Sequence, residues 1–331
     1  MPKHRAISIL TLLALAMNAH AQCVPGWSAP THPDDGAALD MAVFDVDGPG
    51  PARPVLICGG VWGVRPVDRY LVASYDGRAW RAIGEGLGTI GSVEAVCVAD
   101  TTGIGSPQPG LYAAGLFSEF SGGPKHNLKR WDGSRWHDIP GLRAVLMSLH
   151  MFDEDGPGPN EPSLFVGGGI LEWPGGTNGI LLRWDGTAFS LIGAGLGPSI
   201  SQVYVKTMTI FDDDGPGPRP PALYVGGSFQ TAGGLVVNHI ARWDGTNWEA
   251  LGLGTSGLVQ ALAVFDADGD GPEPPMLYAG GQFLRAGGQS MRLLARWDGS
   301  QWSQVPGYDG GGVYALHVFD DDGDGPNKPS L

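Results

Sequence analysis

The chain has 331 residues, with 55 Gly, 27 Pro, 42% hydrophobic and only 16% charged residues, a composition that excludes a disordered chain. Its net charge of −14 leaves no basic surplus to neutralise phosphates, which argues against nucleic acid and against an anionic membrane surface as partners. Gly and Pro this frequent without a three-residue period point to many tight turns, and so to many short strands.

The first element is a leader. Lys3, His4 and Arg5 form a positive start, Ala6 to Met17 a short apolar run, and Ala19-His20-Ala21 a small-x-small site. Together they predict a signal peptide over 1–21, cut after Ala21. The apolar run is too short for a permanent membrane helix, and no other segment is long and apolar enough to span. The mature chain is therefore expected to be secreted, periplasmic or extracellular. Residues 22–36 form an N-terminal segment in which CVPGWSAP resembles QWSQVPG at 301–307. Trp27 is accordingly expected on a strand that closes the last repeat.

From residue 37 the chain repeats. Phe-Asp-x-Asp-Gly recurs at Phe44, Phe152, Phe211, Phe265 and Phe319, with a weaker copy at Ala99-Asp100. A Trp/Tyr-Asp-Gly phrase recurs at Tyr75, Trp131, Trp184, Trp243 and Trp297, at steps of 56, 53, 59 and 54. A third phrase, such as LYVGG at 223–227 or LYAGG at 277–281, ends an apolar run in glycines. Three phrases in phase define repeats at 37–89, 90–143, 144–198, 199–255 and 256–309, and a partial sixth at 310–331. In the copy at 257–307, strands are expected at Val259–Phe265, Met276–Gly280, Leu293–Trp297 and Gln301–Val305. Asp298-Gly299 is read as a tight hairpin between the last two.

Four antiparallel strands per copy, apolar on both faces, predict an all-β fold: a β-propeller of four-stranded blades, five full repeats and a partial sixth, with closure into a complete ring left open by the sequence. Aromatic pairs such as Trp243 with Trp248 and Trp297 with Trp302 are expected in the seams between blades. The double glycines are expected to let neighbouring backbones approach closely. The sixth copy stops at Leu331, where its second strand would begin, so the chain is expected to be truncated there.

The composite LYVGGSFQTAGG…IARWDGTNWEALG at 223–252 resembles kelch-like repeats. It is still more similar to the extracellular propellers grouped with the cortical marker proteins of cell polarity. The resemblance implies the fold and is nearly silent on function. The turn between the third and fourth strands is shorter here than in a kelch repeat.

The Asp loops are the only repeated polar constellation. Asp266, Asp268 and Asp270, and likewise Asp320, Asp322 and Asp324, place carboxylates at loop positions 1, 3 and 5, which makes calcium the candidate cofactor. They resemble the calcium hairpins of integrin-type (FG-GAP) propeller repeats. Those carry a further Asp at position 9, where this chain has Pro274 and Lys328. The pairs Asp45/Asp47, Asp153/Asp155 and Asp212/Asp214 keep only positions 1 and 3. The competing reading of all these loops is that Asp-Gly-Pro makes good turns.

His150 and His317 fall at equivalent first-strand positions and could face a central channel, or could be ordinary polar residues there. Trp62 and Trp173 lie off the repeat, in turns, and are the candidate contacts for a bound ligand. Cys58 and Cys97 read either as buried small hydrophobes or as a disulfide, with Cys23 as a third cysteine. No residue stands out as catalytic. The expected function is a non-catalytic binding or scaffold module for a protein or glycan partner. The alternatives are a propeller enzyme acting on carbohydrate, for which the irregular third copy offers only Glu172, and a fragment of a larger cell-surface structural protein.

Overall fold

Each of the five full copies of the repeat folds into one antiparallel sheet. The computed structural model describes residues 37–44, 54–61, 71–76, 78–84, 87, 90–99, 110–118, 127–156, 158, 161–173, 176–177, 181–197, 203–215, 217–269, 272–318 and 330–331. The expected leader and the segment 22–36 lie outside these residues. The first sheet is β1 (Ala37–Phe44), β2 (Val55–Val61), β3 (Val72–Tyr75) and β4 (Trp80–Ala82). The second is β5 (Ile90–Ala99), β6 (Gly110–Ser118), β7 (Leu128–Trp131) and β8 (Trp136–Asp138). The third is β9 (Arg143–Phe152), β10 (Ser163–Trp173), β11 (Gly176–Thr177), β12 (Leu181–Trp184) and β13 (Phe189–Leu191), with β11 pairing on β10 as a fifth strand. The fourth is β14 (Val205–Phe211), β15 (Ala222–Gly227), β18 (Ile240–Trp243) and β19 (Trp248–Ala250), flanked by the small hairpin β16 (Thr231–Ala232) and β17 (Leu235–Val236). The fifth is β20 (Val259–Phe265), β21 (Met276–Gly281), β24 (Leu294–Trp297) and β25 (Trp302–Gln304), with its hairpin β22 (Arg285–Ala286) and β23 (Gln289–Ser290). No helix is present among the described residues.

Period-two alternation puts both faces of each second strand in a core. Leu223 of β15 packs with Phe165 and Leu181 of the third sheet, while its neighbour Tyr224 packs with Val259 and Leu277 of the fifth. The same arrangement joins the first sheet to the second and the second to the third. Each aromatic of this kind contributes roughly 2–3 kcal/mol by leaving water. A sheet buried on both faces must lean on a neighbour on each side, and four such seams link the five sheets.

The aromatic pairs lie in these seams. Trp243 and Trp248 stand opposite each other across β18 and β19 with ring centroids 5.0 Å apart, and Trp297 and Trp302 match them at 5.4 Å. Trp302 Nε1 donates to the Leu251 carbonyl of the preceding sheet at 2.8 Å, and Trp136 Nε1 does the same to Ile83 at 3.0 Å.

The double glycines have two separate jobs. A Cβ on Gly226 would lie 2.6 Å from Val259 Cγ1 in the next sheet, and one on Gly59 would lie 2.5 Å from Val93 Cγ1. A Cβ on the second glycine, Gly227, would run into the Tyr204 carbonyl beside its own first strand. Gly280 meets Val313 in the same way. Residues of the sixth copy thus take the place of a first strand beside β21 without forming a regular ladder.

One expectation differs in detail. The Asp-Gly turn is a four-residue loop rather than a two-residue one: Trp297 pairs with Trp302, and Asp298 N–H donates to Gln301 O at 3.3 Å. Asp298 Oδ1 accepts the N–H groups of Ser300 and Gln301, both at 2.8 Å, and only Gly299 takes a left-handed φ, of 95°. An Asx cap therefore does the work that two left-handed residues would do.

Candidate functional site

The Asp loops join the first and second strands of each sheet. In the fifth sheet Asp266 Oδ1 accepts the N–H groups of Asp268 (3.2 Å) and Gly269 (2.9 Å), and Asp268 Oδ2 accepts that of Glu273 at 3.1 Å. Asp270, Asp320, Asp322 and Asp324 lie outside the described residues. Two carboxylates that already cap their own loop fall short of the six to eight oxygens calcium takes. Among the described residues no group of three His, Cys, Asp or Glu side chains is gathered to hold a metal.

In the fourth sheet Asp212 Oδ1 and Asp214 Oδ1 are buried without a hydrogen-bond partner. That loop carries its own cation: the Arg219 guanidinium lies 3.0 Å from Asp213 Oδ1 and 3.6 Å from Asp214 Oδ2. The residues there fit an internal counter-ion better than a metal.

The middle residue of these loops carries a role that spacing did not reveal. Glu154 accepts Arg183 NH1 at 2.6 Å and Trp243 Nε1 of the next sheet at 2.8 Å. Asp213, at the same position one copy on, accepts Tyr224 Oη at 2.7 Å and stands 3.3 Å from Arg242 Nε. Burial, followed by the Asp213 carboxylate, pushes the Tyr224 phenol well above its ordinary range. A Cβ on Gly245 would collide with the Glu154 carbonyl, and one on Gly299 with that of Asp213. The acidic loops of the third and fourth sheets are thus keyed against the Asp-Gly turn of the following sheet.

Trp62 lies outside the described residues, as does the side chain of Glu172. Trp173 ends strand β10 rather than sitting in a turn, and it packs half-buried against the core shared by the second and third sheets.

The first strands of all five sheets converge on one cavity of about 620 Å³, which Tyr314 and His317 also border. Each first strand enters it through a β-bulge at the same register, opposite the double glycines. The extra residues are Leu39, Glu94, Met147, Lys206 and Gln260, and all five line the cavity. The neighbouring frame hardly changes: Val93, Val205, Val259 and Val313 stand one residue earlier in their copies and press on glycine or its equivalent. A repeated frame therefore presents a different side chain from every sheet to one shared space. The signal was present in the sequence as the residue after that valine, but nothing in spacing alone marks it as bulged.

The cavity is electrostatically uneven. Asp40 accepts Met41 N–H through Oδ1 and, across the seam, Val96 N–H through Oδ2, both at 2.8 Å. Burial outweighs these two hydrogen bonds and raises its carboxyl to about 6. Glu94 Oε1 accepts Ser92 Oγ at 2.7 Å, and its Oε2 lies 3.8 Å from Lys206 Nζ. His150 and His317 both border this space, and burial lowers both imidazoles. Cys58 and Cys97 are free thiols, and burial together with the Asp40 charge pushes each up to about 12.

Among the described residues no helix is long and apolar enough to cross a membrane. Comparison with protein-family models finds no match, and comparison with curated proteins finds none either.

Proposed function

We propose that the chain is a secreted β-propeller that acts as a binding module, taking a group of its partner into the cavity where the first strands meet. One observation carries this reading: five bulged positions, set by a common frame, deliver Leu39, Glu94, Met147, Lys206 and Gln260 to a single space. Repetition holds the walls and variation tunes the lining, which is how a scaffold supports recognition. The radial arrangement is supported by the four successive seams and by the cavity that sheets one to five share with residues 314 and 317. The partner class is a glycan or an exposed segment of a protein. Export follows the expected leader, with the mature chain starting at Gln22.

Met41, Met147 and Met208 line the cavity and report on it directly. With 13C-methyl methionine, a panel of oligosaccharides and peptides is titrated and the methyl resonances followed. A binder is expected to shift these three, and Gln260→Ala to weaken it at least tenfold. Ligands that bind the protein while leaving all three methyls in place overturn the reading.

We also propose that calcium occupies the 266–270 and 320–324 loops as a stabilising ion, held by Asp266, Asp268 and Asp270 in one and Asp320, Asp322 and Asp324 in the other. The support is the sequence pattern, carboxylates at positions 1, 3 and 5 of both loops, of which Asp266 and Asp268 stand on one tight loop and would supply part of the shell. Melting with 1 mM calcium and with excess EDTA tests it. A calcium-dependent rise in Tm that Asp268→Ala removes is expected, and equal melting in both conditions refutes it.

A further inference from the structure

The cavity holds an unbalanced charge. Asp40 and Glu94 both line it, on adjacent strands β1 and β5, and Lys206 is the one ammonium among its described lining residues. Lys206 stands 3.8 Å from Glu94 Oε2. Asp40 has only backbone N–H donors, and among the described residues no cation reaches it. Desolvation lowers the imidazoles of half-buried His150 and exposed His317, which disfavours their charged forms. The described lining therefore carries one more negative charge than positive. The rest of the lining mixes apolar Leu39, Ala42, Met147 and Met208 with polar Ser148, Thr207 and Gln260.

We propose that the ligand of this cavity is an amphipathic organic cation, an ammonium group on a hydrocarbon or sugar frame, whose positive charge is received by Asp40. The inference rests on the binding-module reading and names the chemistry of the same site. A carboxylate withdrawn from water without a counter-ion is costly, and an arriving ammonium removes that cost. Burial raises the Asp40 carboxyl, and a cation placed beside it would lower it again. A bare metal ion suits the space poorly, because about 620 Å³ is far larger than an ion and the carboxylates come from separate strands. The sulfur and methyl groups of Met41, Met147, Met208 and Leu39 in the lining suit a carbon frame instead.

The test uses the mature chain with labelled methionine methyls, n-hexylammonium as probe, n-hexanol as its neutral counterpart, and calcium chloride. Hexylammonium is expected to shift the Met41, Met147 and Met208 methyls with a Kd at least tenfold below that of hexanol. Asp40→Asn is expected to abolish that preference. Lys206→Gln, which removes the competing ammonium, is expected to tighten hexylammonium binding several-fold, so the two variants move in opposite directions. Equal binding of hexanol, or of a neutral sugar, overturns the cation claim while leaving a binding cavity in place. Calcium displacing hexylammonium from the same methyls also overturns it. If no compound moves those methyls, the binding-module reading falls with it.

Discussion

Gly226 separates two physical accounts of the double glycines. Its φ does not lie in the left-handed region, so backbone strain does not demand glycine there. If only chain flexibility were at stake, Gly226→Ala would stabilise the fold by about 0.4–1 kcal/mol through the unfolded state. The structure predicts the opposite sign. The new Cβ would lie 2.6 Å from Val259 Cγ1, 2.9 Å from Thr207 Cγ2 and 3.1 Å from Val259 Cβ. Val259 is fully buried, so the seam must open or Val259 must leave its rotamer, an overpacking that costs about 1–3 kcal/mol. At roughly 2–4 °C per kcal/mol, Tm falls by several degrees. Val259→Ala in the same background removes both γ methyls, so the double variant should recover at least about 0.5 kcal/mol relative to additivity. Urea denaturation and calorimetry of the four proteins measure it. A neutral or stabilising Gly226→Ala, or strictly additive effects, refutes the close approach of the sheets.

Four further outcomes follow from the same geometry. Trp243→Phe should lose about 1–2 kcal/mol in urea denaturation, since it keeps most of the buried area but gives up the 2.8 Å hydrogen bond to Glu154. Asp298→Ala should cost about 1 kcal/mol in the same assay by uncapping the Ser300 and Gln301 N–H groups. Asp40 binds its proton more tightly when folded, about 6 against 3.8, so its contribution to stability is complete below pH 4 and is lost as pH rises through 6. That loss amounts to about 3 kcal/mol. Desolvation lowers the imidazoles of His150, His239 and His317, which moves stability the other way as pH rises, so the Asp40 contribution is read as the difference between the native chain and Asp40→Asn. The groups facing Asp40 are Glu94 and the Cys58 and Cys97 thiols, and the thiols stay neutral throughout that range. Iodoacetamide at pH 8 should leave the buried Cys58 unmodified in the folded protein and alkylate it in urea, as judged by mass spectrometry; fast labelling of Cys58 in the folded chain counts against its burial.

The sheets were legible because each repeated phrase has one dominant physical cause. Val259–Phe265 matches β20 residue for residue, and Leu293–Trp297 matches β24 to within one residue. Alternation of Leu223 and Tyr224 says that both faces are apolar, and only a neighbour on each side answers that. The loops were less legible because one composition serves two ends. Asp-Gly in the Asp298 turn is a capped four-residue loop, while Asp-x-Asp-Gly at 266–269 is a self-capped connection between strands. Periodicity could not announce the keying of Glu154 to Trp243, which joins residues 89 apart in the chain.

The cavity was the least legible part, and the reason lies in the bulge. A regular strand sends alternate residues to opposite faces, so a reading by alternation assigns Glu94 or Lys206 to one seam or the other. An inserted residue breaks that parity and turns one side chain out of both seams, toward the space the first strands share. The glycines opposite make room for the bulge, and they are the part of the motif that repeats. Within this chain the frame residue is Val in the second, fourth, fifth and sixth copies and the glycines recur, while the residue that follows the frame position differs from sheet to sheet. Asp40 shows the consequence most clearly. It sits where Thr207 stands in the fourth copy, and both accept a backbone N–H from the following sheet, Val96 at 2.8 Å and Leu262 at 3.3 Å. Threonine does that work without charge. A carboxylate at the same position brings to the cavity a charge that the seam does not need, and the proposed organic cation would give that charge a partner.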